Sequence, residues 1–445
     1  MAKFIFSEVR AKTATLDKVA GELIKEGHQV IWVVQNHLFN PSNYSKKYLL
    51  SYPSKRDIDQ YKHIEKPFFK HIRACDRMLL YFNHDGSYYG YYYKLIEDIY
   101  NNEAPDYVIG EVGNFHTHML CMLCRETKIP FYDIVSSRYP LGRISFHLYD
   151  EYNPVVINSE DDQQWDESYI NSLVESISFR NIKPDYMKWV DKGMWRLKVK
   201  RLPYRFRLLL EYLRGERFCT HNPLVYLNRR IKIAGNLSAV KRSAKGIDFF
   251  KNQNKKILLF PMQMQPELNL DVWGNRFRDQ EKLVKEIASV LPYDWILVVK
   301  INPKAREDLN NDLAKEVNEL PNTYFVNPLT DMKEIDEISD CAITVTGTIA
   351  LERIIRGEPV IILANSFLVK EKFGVGVDRV EAVGEILENF NREEFVKNQI
   401  DGYSMVKELL KRSMPGRMGS PLTGKSVIES SNINSVTRAV KRVIN

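Results

Sequence analysis

The sequence predicts an α/β protein with two Rossmann-like domains facing a cleft, joined by a helical connector. Three observations carry this. Strand-like and helix-like segments alternate from the N-terminus, and the same alternation restarts after a polar run at 251–256. Between the two lies a basic stretch with helical periodicity and no strand pattern.

Length and composition agree. At 445 residues the chain exceeds one ordinary core and suits two domains with a link. Hydrophobic residues at 44% and charged residues at 27% exclude a disordered or collagen-like chain. The apolar run at 4–6 is too short for a signal-peptide core, and no window approaches a membrane span. The five cysteines are odd in number and sit in apolar contexts, as reduced thiols do. A cytoplasmic location is the expectation.

The first domain is expected over 1–180. Residues 3–6 read as a strand, Leu16, Val19, Ala20 and Leu23 recur at helical spacing over 13–25, and 29–34 read as a second strand. A further unit runs from a strand at 105–110 through an apolar helix at 115–124 to a strand at 129–134. Such alternation predicts a parallel, doubly wound sheet. Cys121 and Cys124 lie mid-helix without a second ligand pair, so packing is their expected role. The tyrosine run at 88–93 suits core packing better than carbohydrate stacking.

Residues 181–253 read as the basic helical connector. From 185 to 245 there are 16 Lys and Arg against four Asp and Glu, interleaved with Trp189, Trp195, Tyr204, Phe206 and Tyr212. No nucleic-acid motif accompanies them, so the expected partner is an anionic membrane surface.

The second Rossmann-like domain is expected over 254–390, with strands at 257–260, 295–299, 323–326, 342–345 and 360–363 and helices at 280–290 and 349–355. Residues 391–445 read as a helical tail. Within it, 419–426 fits the Walker A pattern, but a helical, basic segment precedes it where a P-loop needs a buried strand.

The strand at 342–345 runs into Thr346-Gly347-Thr348 and then a helix. Free N–H groups at a helix start, a glycine that lets backbone approach, and two hydroxyls make this a phosphate seat, or else an ordinary capped turn. Glu352, one turn on, suits ribose hydroxyls or solvent. Gln263, Gln265 and Glu267 follow the strand at 257–260, and Lys300, Asn302 and Lys304 follow the next, where lysines would neutralise phosphate.

Residues 260–267 (Phe-Pro-Met-Gln-Met-Gln-Pro-Glu), 274–280, Val299-Lys300-Ile301-Asn302-Pro303 and 346–352 (Thr-Gly-Thr-Ile-Ala-Leu-Glu) resemble, in order and spacing, the capsule polysaccharide biosynthesis family, which includes bacterial Kdo transferases. In the first half, 7–10, 108–111 and 137–143 are similar to members of that group. The resemblance implies a metal-independent GT-B glycosyltransferase that moves a sugar from a nucleotide sugar, such as CMP-Kdo, to a surface polysaccharide or glycolipid, without a cofactor. Asn302-Pro303 departs from the family's His-Pro: asparagine keeps a hydrogen-bond donor but no charge. A nucleotide-sugar 2-epimerase and a non-catalytic glycan-binding module remain the alternatives.

In a GT-B enzyme, 1–180 would take the acceptor and 254–390 the donor. The work needs a base or a carboxylate nucleophile. Glu111 is the first choice, then Glu8 and the donor-side Glu267. Arg10, Lys12, His116, Arg138 and Arg143 would border the acceptor. His116 and His118 are spaced i,i+2, which points helical side chains apart, so no metal pair is expected.

Overall fold

A computed structural model describes residues 1–157, 165–178, 202–302, 313–397, 399–422 and 424–444. The chain divides into two compact units: Met1–Gln164, Lys183–Pro223 and Leu409–Asn445 form the first, and Trp165–Ile182 with Leu224–Glu408 the second.

In the first unit, β1 (Lys3–Ser7), α1 (Thr13–Lys25) and β2 (Gln29–Val34) form as the apolar periodicity predicts, with Leu16, Val19, Ala20 and Leu23 on the buried face of α1. Then come β3 (Lys46–Leu49), α2 (Phe69–Cys75), α3 (Tyr89–Glu103), β4 (Tyr107–Ile109), α4 (Phe115–Thr127), β5 (Phe131–Ser136), β6 (Arg143–Leu148) and α5 (Leu202–Leu213). The sheet order is β6-β5-β4-β1-β2-β3.

This sheet is mixed, not wholly parallel as expected. β6 runs antiparallel to β5, because the six residues between them, turning through Gly142 at φ 75°, leave no room for a crossover helix. The tyrosine run packs inside: Tyr88 meets Phe115 and Phe218 edge-on at 5.0 and 4.8 Å, and Tyr89 Oη donates to Asp76 at 2.6 Å. All five cysteines are buried free thiols, Cys121 and Cys124 among them.

The longer segment of the second unit opens on α6 (Pro223–Ser243) and builds a six-stranded parallel sheet. Its elements are β7 (Lys256–Pro261), α7 (Gln280–Ser289), β8 (Trp295–Lys300), β9 (Thr323–Phe325), β10 (Cys341–Thr344), α8 (Ile349–Ile355), β11 (Val360–Ile362) and β12 (Val375–Gly376). Strand order β12-β11-β10-β7-β8-β9 is the 3-2-1-4-5-6 pattern of a doubly wound sheet, reversing between β7 and β10. Leu258, Phe260, Leu297, Val299, Ile343 and Ile361 fill its core, each fully buried side chain contributing about 1.5–3 kcal/mol. Arg353 is wholly buried: it donates to Asp336 Oδ1 at 2.6 Å and to the Pro359 carbonyl at 2.8 Å, and so ties α8 to its surroundings.

The C-terminal segment does more than trail as helices. β13 (Met414–Pro415) pairs antiparallel with β6, and α9 (Ser430–Ile444) lays Ile433, Val436, Ala439 and Val440 into the core of Leu16, Val19 and Leu23. The Walker-like string sits between an antiparallel edge strand and α9, outside any βαβ unit, and the Gly419 carbonyl accepts from Thr15 Oγ1. Among the described residues, no helix is long and apolar enough to cross a membrane.

Candidate functional site

Open parallel sheets bind ligands at the carboxyl ends of the strands where the order reverses. Each unit has such a point, and each gathers predicted residues there.

In the second unit the point lies between β7 and β10. Gln263, two residues past β7, reaches the turn after β10 with both ends of its amide: Nε2 donates to Thr346 Oγ1 at 2.7 Å, and Oε1 accepts from the Thr346 N–H at 3.0 Å. Gln280, buried at the start of α7, locks the loop. Its Oε1 accepts from the Gln263 N–H at 2.6 Å, and its Nε2 donates to the Gln263 carbonyl at 2.8 Å and to Gln265 Oε1 at 2.9 Å. Gln265 Nε2 donates in turn to the Arg278 carbonyl at 3.0 Å. Gln263 and Gln265 are thus scaffold for the turn, a task their loop position did not reveal.

The Thr346-Gly347-Thr348 turn spends some donors internally. Besides the Thr346 N–H, the Gly347 N–H goes to Thr344 Oγ1 at 3.1 Å and the Thr346 hydroxyl to the Asn269 carbonyl at 3.2 Å. Glycine is required at 347 because a Cβ would lie 2.4 Å from Thr344 Oγ1. Thr348 makes no side-chain cap to the seven-residue α8. Among the described residues the N–H groups of Thr348 and Ile349 meet no acceptor, so these and the Thr348 hydroxyl are what the turn can offer an anion. Glu352 stands one turn further on, half-buried.

Lys300 ends β8, buried, with its ammonium donating to the Pro328 carbonyl at 3.2 Å. Burial holds its pKa down at about 8, the charge of Asp331 opposing only in part. Asn302 is half-buried just beyond, and Lys304 lies outside the described residues. Glu267 is half-buried, and its carbonyl accepts from the N–H groups of Leu270 and Asp271.

In the first unit the order reverses between β1 and β4. Glu8 follows β1 and is buried, its carboxylate accepting from the N–H groups of Arg10 at 2.5 Å and Asn36 at 3.1 Å. Burial pushes it up to about 7, the two backbone donors and the Arg10 charge offsetting only part. His116 Nε2 lies 3.9 Å from Glu8 Oε2, and its Nδ1 3.8 Å from Cys219 Sγ. Burial drives His116 down to about 3, so the ring is neutral. Arg10, at φ 46°, donates to the Cys219 carbonyl at 2.6 Å.

Glu111 follows β4 and forms an ion pair with Lys12. Burial works upward on Glu111, but the Lys12 charge and hydrogen bond, with Arg77 and Arg10 behind, hold it below the usual carboxylate range. Asp133 on β5 is pushed up to about 8 by burial and by the Glu111 charge. Near neutral pH the cluster therefore holds an ionised Glu111, a protonated Asp133 and a Glu8 poised between. Gly110 makes this crowding feasible, since a Cβ there would lie 2.6 Å from Thr117 Cγ2 and keep α4 away from the strand ends.

Two further predicted residues lie at and before the start of β6. Arg143 donates to the Ser413 hydroxyl at 2.8 Å and carbonyl at 2.7 Å, fastening the C-terminal segment. Arg138 lies in the turn between β5 and β6. Missed by the sequence reading were Asp133, Arg77 and Glu216, the last a buried hub accepting from Gln35 at 3.0 Å, Asn36 at 3.1 Å and the N–H groups of Phe218 and Cys219. An acidic residue within the apolar run of β5 is a signal that would have found Asp133.

No family model and no curated protein sequence matches the chain. Among solved structures it is similar to the Thermosulfurimonas dismutans β-Kdo 2,7-transferase KpsC, at 9% identity and a TM-score of 0.38 over 98% of this chain and 100% of that one. It is also similar to S. aureus MnaA, solved with UDP, at 13% identity and a TM-score of 0.28 over 91% and 92%. The UDP-GlcNAc 2-epimerase of Neisseria meningitidis gives 14% identity and a TM-score of 0.28 over 92% and 100%. At such scores nothing about activity passes from them to this chain. The fold class rests on its own two doubly wound sheets.

Proposed function

We propose that the chain is a metal-independent glycosyltransferase of the GT-B type, taking a nucleotide-sugar donor at the Thr346–Gly347–Thr348 turn and a glycan or glycolipid acceptor at the Glu8–Glu111 cluster. The observation that carries this reading is the location of both sets of residues where the strand order of each sheet reverses. In this reading the Thr348 and Ile349 N–H groups hold donor phosphate, with Lys300 supplying charge and Glu352 the ribose contact. Glu8 becomes the preferred base, because a carboxyl poised near 7 can take an acceptor proton at neutral pH whereas Glu111 is spent on Lys12. A CMP-activated acidic sugar is the donor we favour from the motif resemblance.

A thermal-shift screen against CMP, UDP and GDP tests the donor side, since a nucleotide at 100 times its dissociation constant stabilises by about 2.7 kcal/mol. No shift with any of them would point instead to a non-catalytic module. Conversion of free nucleotide sugar without acceptor would point to an epimerase.

Acceptors of this class are carried on lipid, and α5 suits a bilayer. Leu202, Phe206, Leu209 and Leu213 recur at i, i+4, i+7 and i+11 on its solvent face, Phe206 60% and Leu213 66% exposed, beside exposed Arg205, Arg207 and Arg214. Glu211 and Tyr204 face inward, to Tyr52 and Phe39. We propose contact with an anionic membrane surface. Vesicle sedimentation should show binding to anionic but not neutral lipid, and weak binding to both alike would remove the idea.

A further inference from the structure

His118 turns away from its neighbour His116 and meets Asp150, in the turn after β6, and His71 on α2. His71 Nε2 lies 2.6 Å and His118 Nε2 3.4 Å from the same oxygen, Asp150 Oδ2. One ligand atom from each residue lies within 4.8 Å of the others, and the two imidazoles stand nearly perpendicular, 5.1 Å apart. The other carboxylate oxygen takes Arg125 at 2.5 Å.

From this geometry we propose that His71, His118 and Asp150 form a zinc-class metal site, separate from the Glu8–Glu111 cluster. Two imidazoles and one carboxylate suit a borderline divalent transition ion and disfavour calcium or magnesium, which seek oxygen alone. Tetrahedral bonds of about 2.0–2.1 Å place ligand atoms roughly 3.3 Å apart, so the His118–Asp150 spacing already fits and the His71–Asp150 pair opens by under about 1 Å.

The surroundings favour the site. Arg125, on Oδ1, orients the carboxylate as outer partners of metal ligands do. His71 is 47% exposed, giving the ion a path from solvent and leaving room for water as fourth ligand. The ligands lie on α2, α4 and the turn after β6, so one ion would cross-link three segments brought together only by folding.

This does not rest on the glycosyltransferase reading, and its test reads metal, not activity. The full chain, stripped with chelator, is titrated with Zn2+ against a chromogenic competitor. One equivalent should bind, with tenfold or greater loss of affinity in His71→Ala and Asp150→Asn and none in His63→Ala, an exposed histidine outside the cluster. Co2+ should give the visible absorption of a tetrahedral site in the wild type and lose it in His71→Ala. His71 is at the surface, so circular dichroism of that variant should match the wild type. Substoichiometric zinc uptake by the wild type, or equal affinity in all variants, would overturn the proposal.

Discussion

The Glu8 carboxylate and the His116 imidazole lie 3.9 Å apart, both buried, yet they do not behave as an ion pair. Burial moves both toward neutrality, Glu8 up to about 7 and His116 down to about 3. If Glu8 is the base, activity should rise with pH through about 7 as the carboxyl loses its proton. Glu8→Gln should abolish that limb and lower kcat by about 10²–10⁴. A pH–rate profile of the two proteins decides this, and an unchanged limb in the variant would move the base elsewhere.

Asp133 offers a stability test of the same cluster. Its folded pKa is raised from 3.8 to about 8, so the folded state holds a proton that the unfolded chain gives up. Stability from this group is therefore intact below about pH 4 and lost progressively as pH rises toward 8. Asp133→Asn should melt like the wild type near pH 4 and above it at pH 9, by on the order of a few kcal/mol. A gain that is constant across pH would contradict the protonation inferred for Asp133.

Legibility followed periodicity. β1, α1 and β2 were readable because their apolar spacing is unbroken, and the sheet of the second unit because its strands are continuous apolar runs. β3, β12 and β13 were not, being edge strands of two to four residues with little apolar pattern. Glu8 and Glu111 could be placed at strand ends, but the rank between them could not, because Lys12 reaches Glu111 only through the sheet's topology. Glu216 was out of reach for the same reason: its partners Gln35 and Asn36 are 180 or so positions away.

The Gln263 fork makes a separable prediction. Gln263→Leu removes the two hydrogen bonds that the amide makes to Thr346, one to its N–H and one to its hydroxyl, costing about 1–3 kcal/mol by chemical denaturation. The same variant should lose any nucleotide-induced thermal shift. A retained shift would mean the turn keeps its shape without the fork.

Gly347 and Thr344 should be energetically coupled. Gly347→Ala forces a Cβ against Thr344 Oγ1 and should cost about 1–3 kcal/mol. Adding Thr344→Ala removes the obstacle, so the double variant should be more stable than the sum of the singles predicts. Strict additivity in a double-mutant cycle would show that the contact is relieved in another way.

The return of Val436 and Val440 to the core of α1 has a consequence for biosynthesis. The first unit opens at residue 1 and closes only with residues 409–445, whereas 224–408 of the second unit form an unbroken stretch. During translation the second unit can complete its sheet while the first still exposes the apolar face that α9 will cover. Chaperone engagement should accordingly concentrate on the early half of the chain, and a ribosome stalled before residue 430 should present a finished second unit and an unfinished first one.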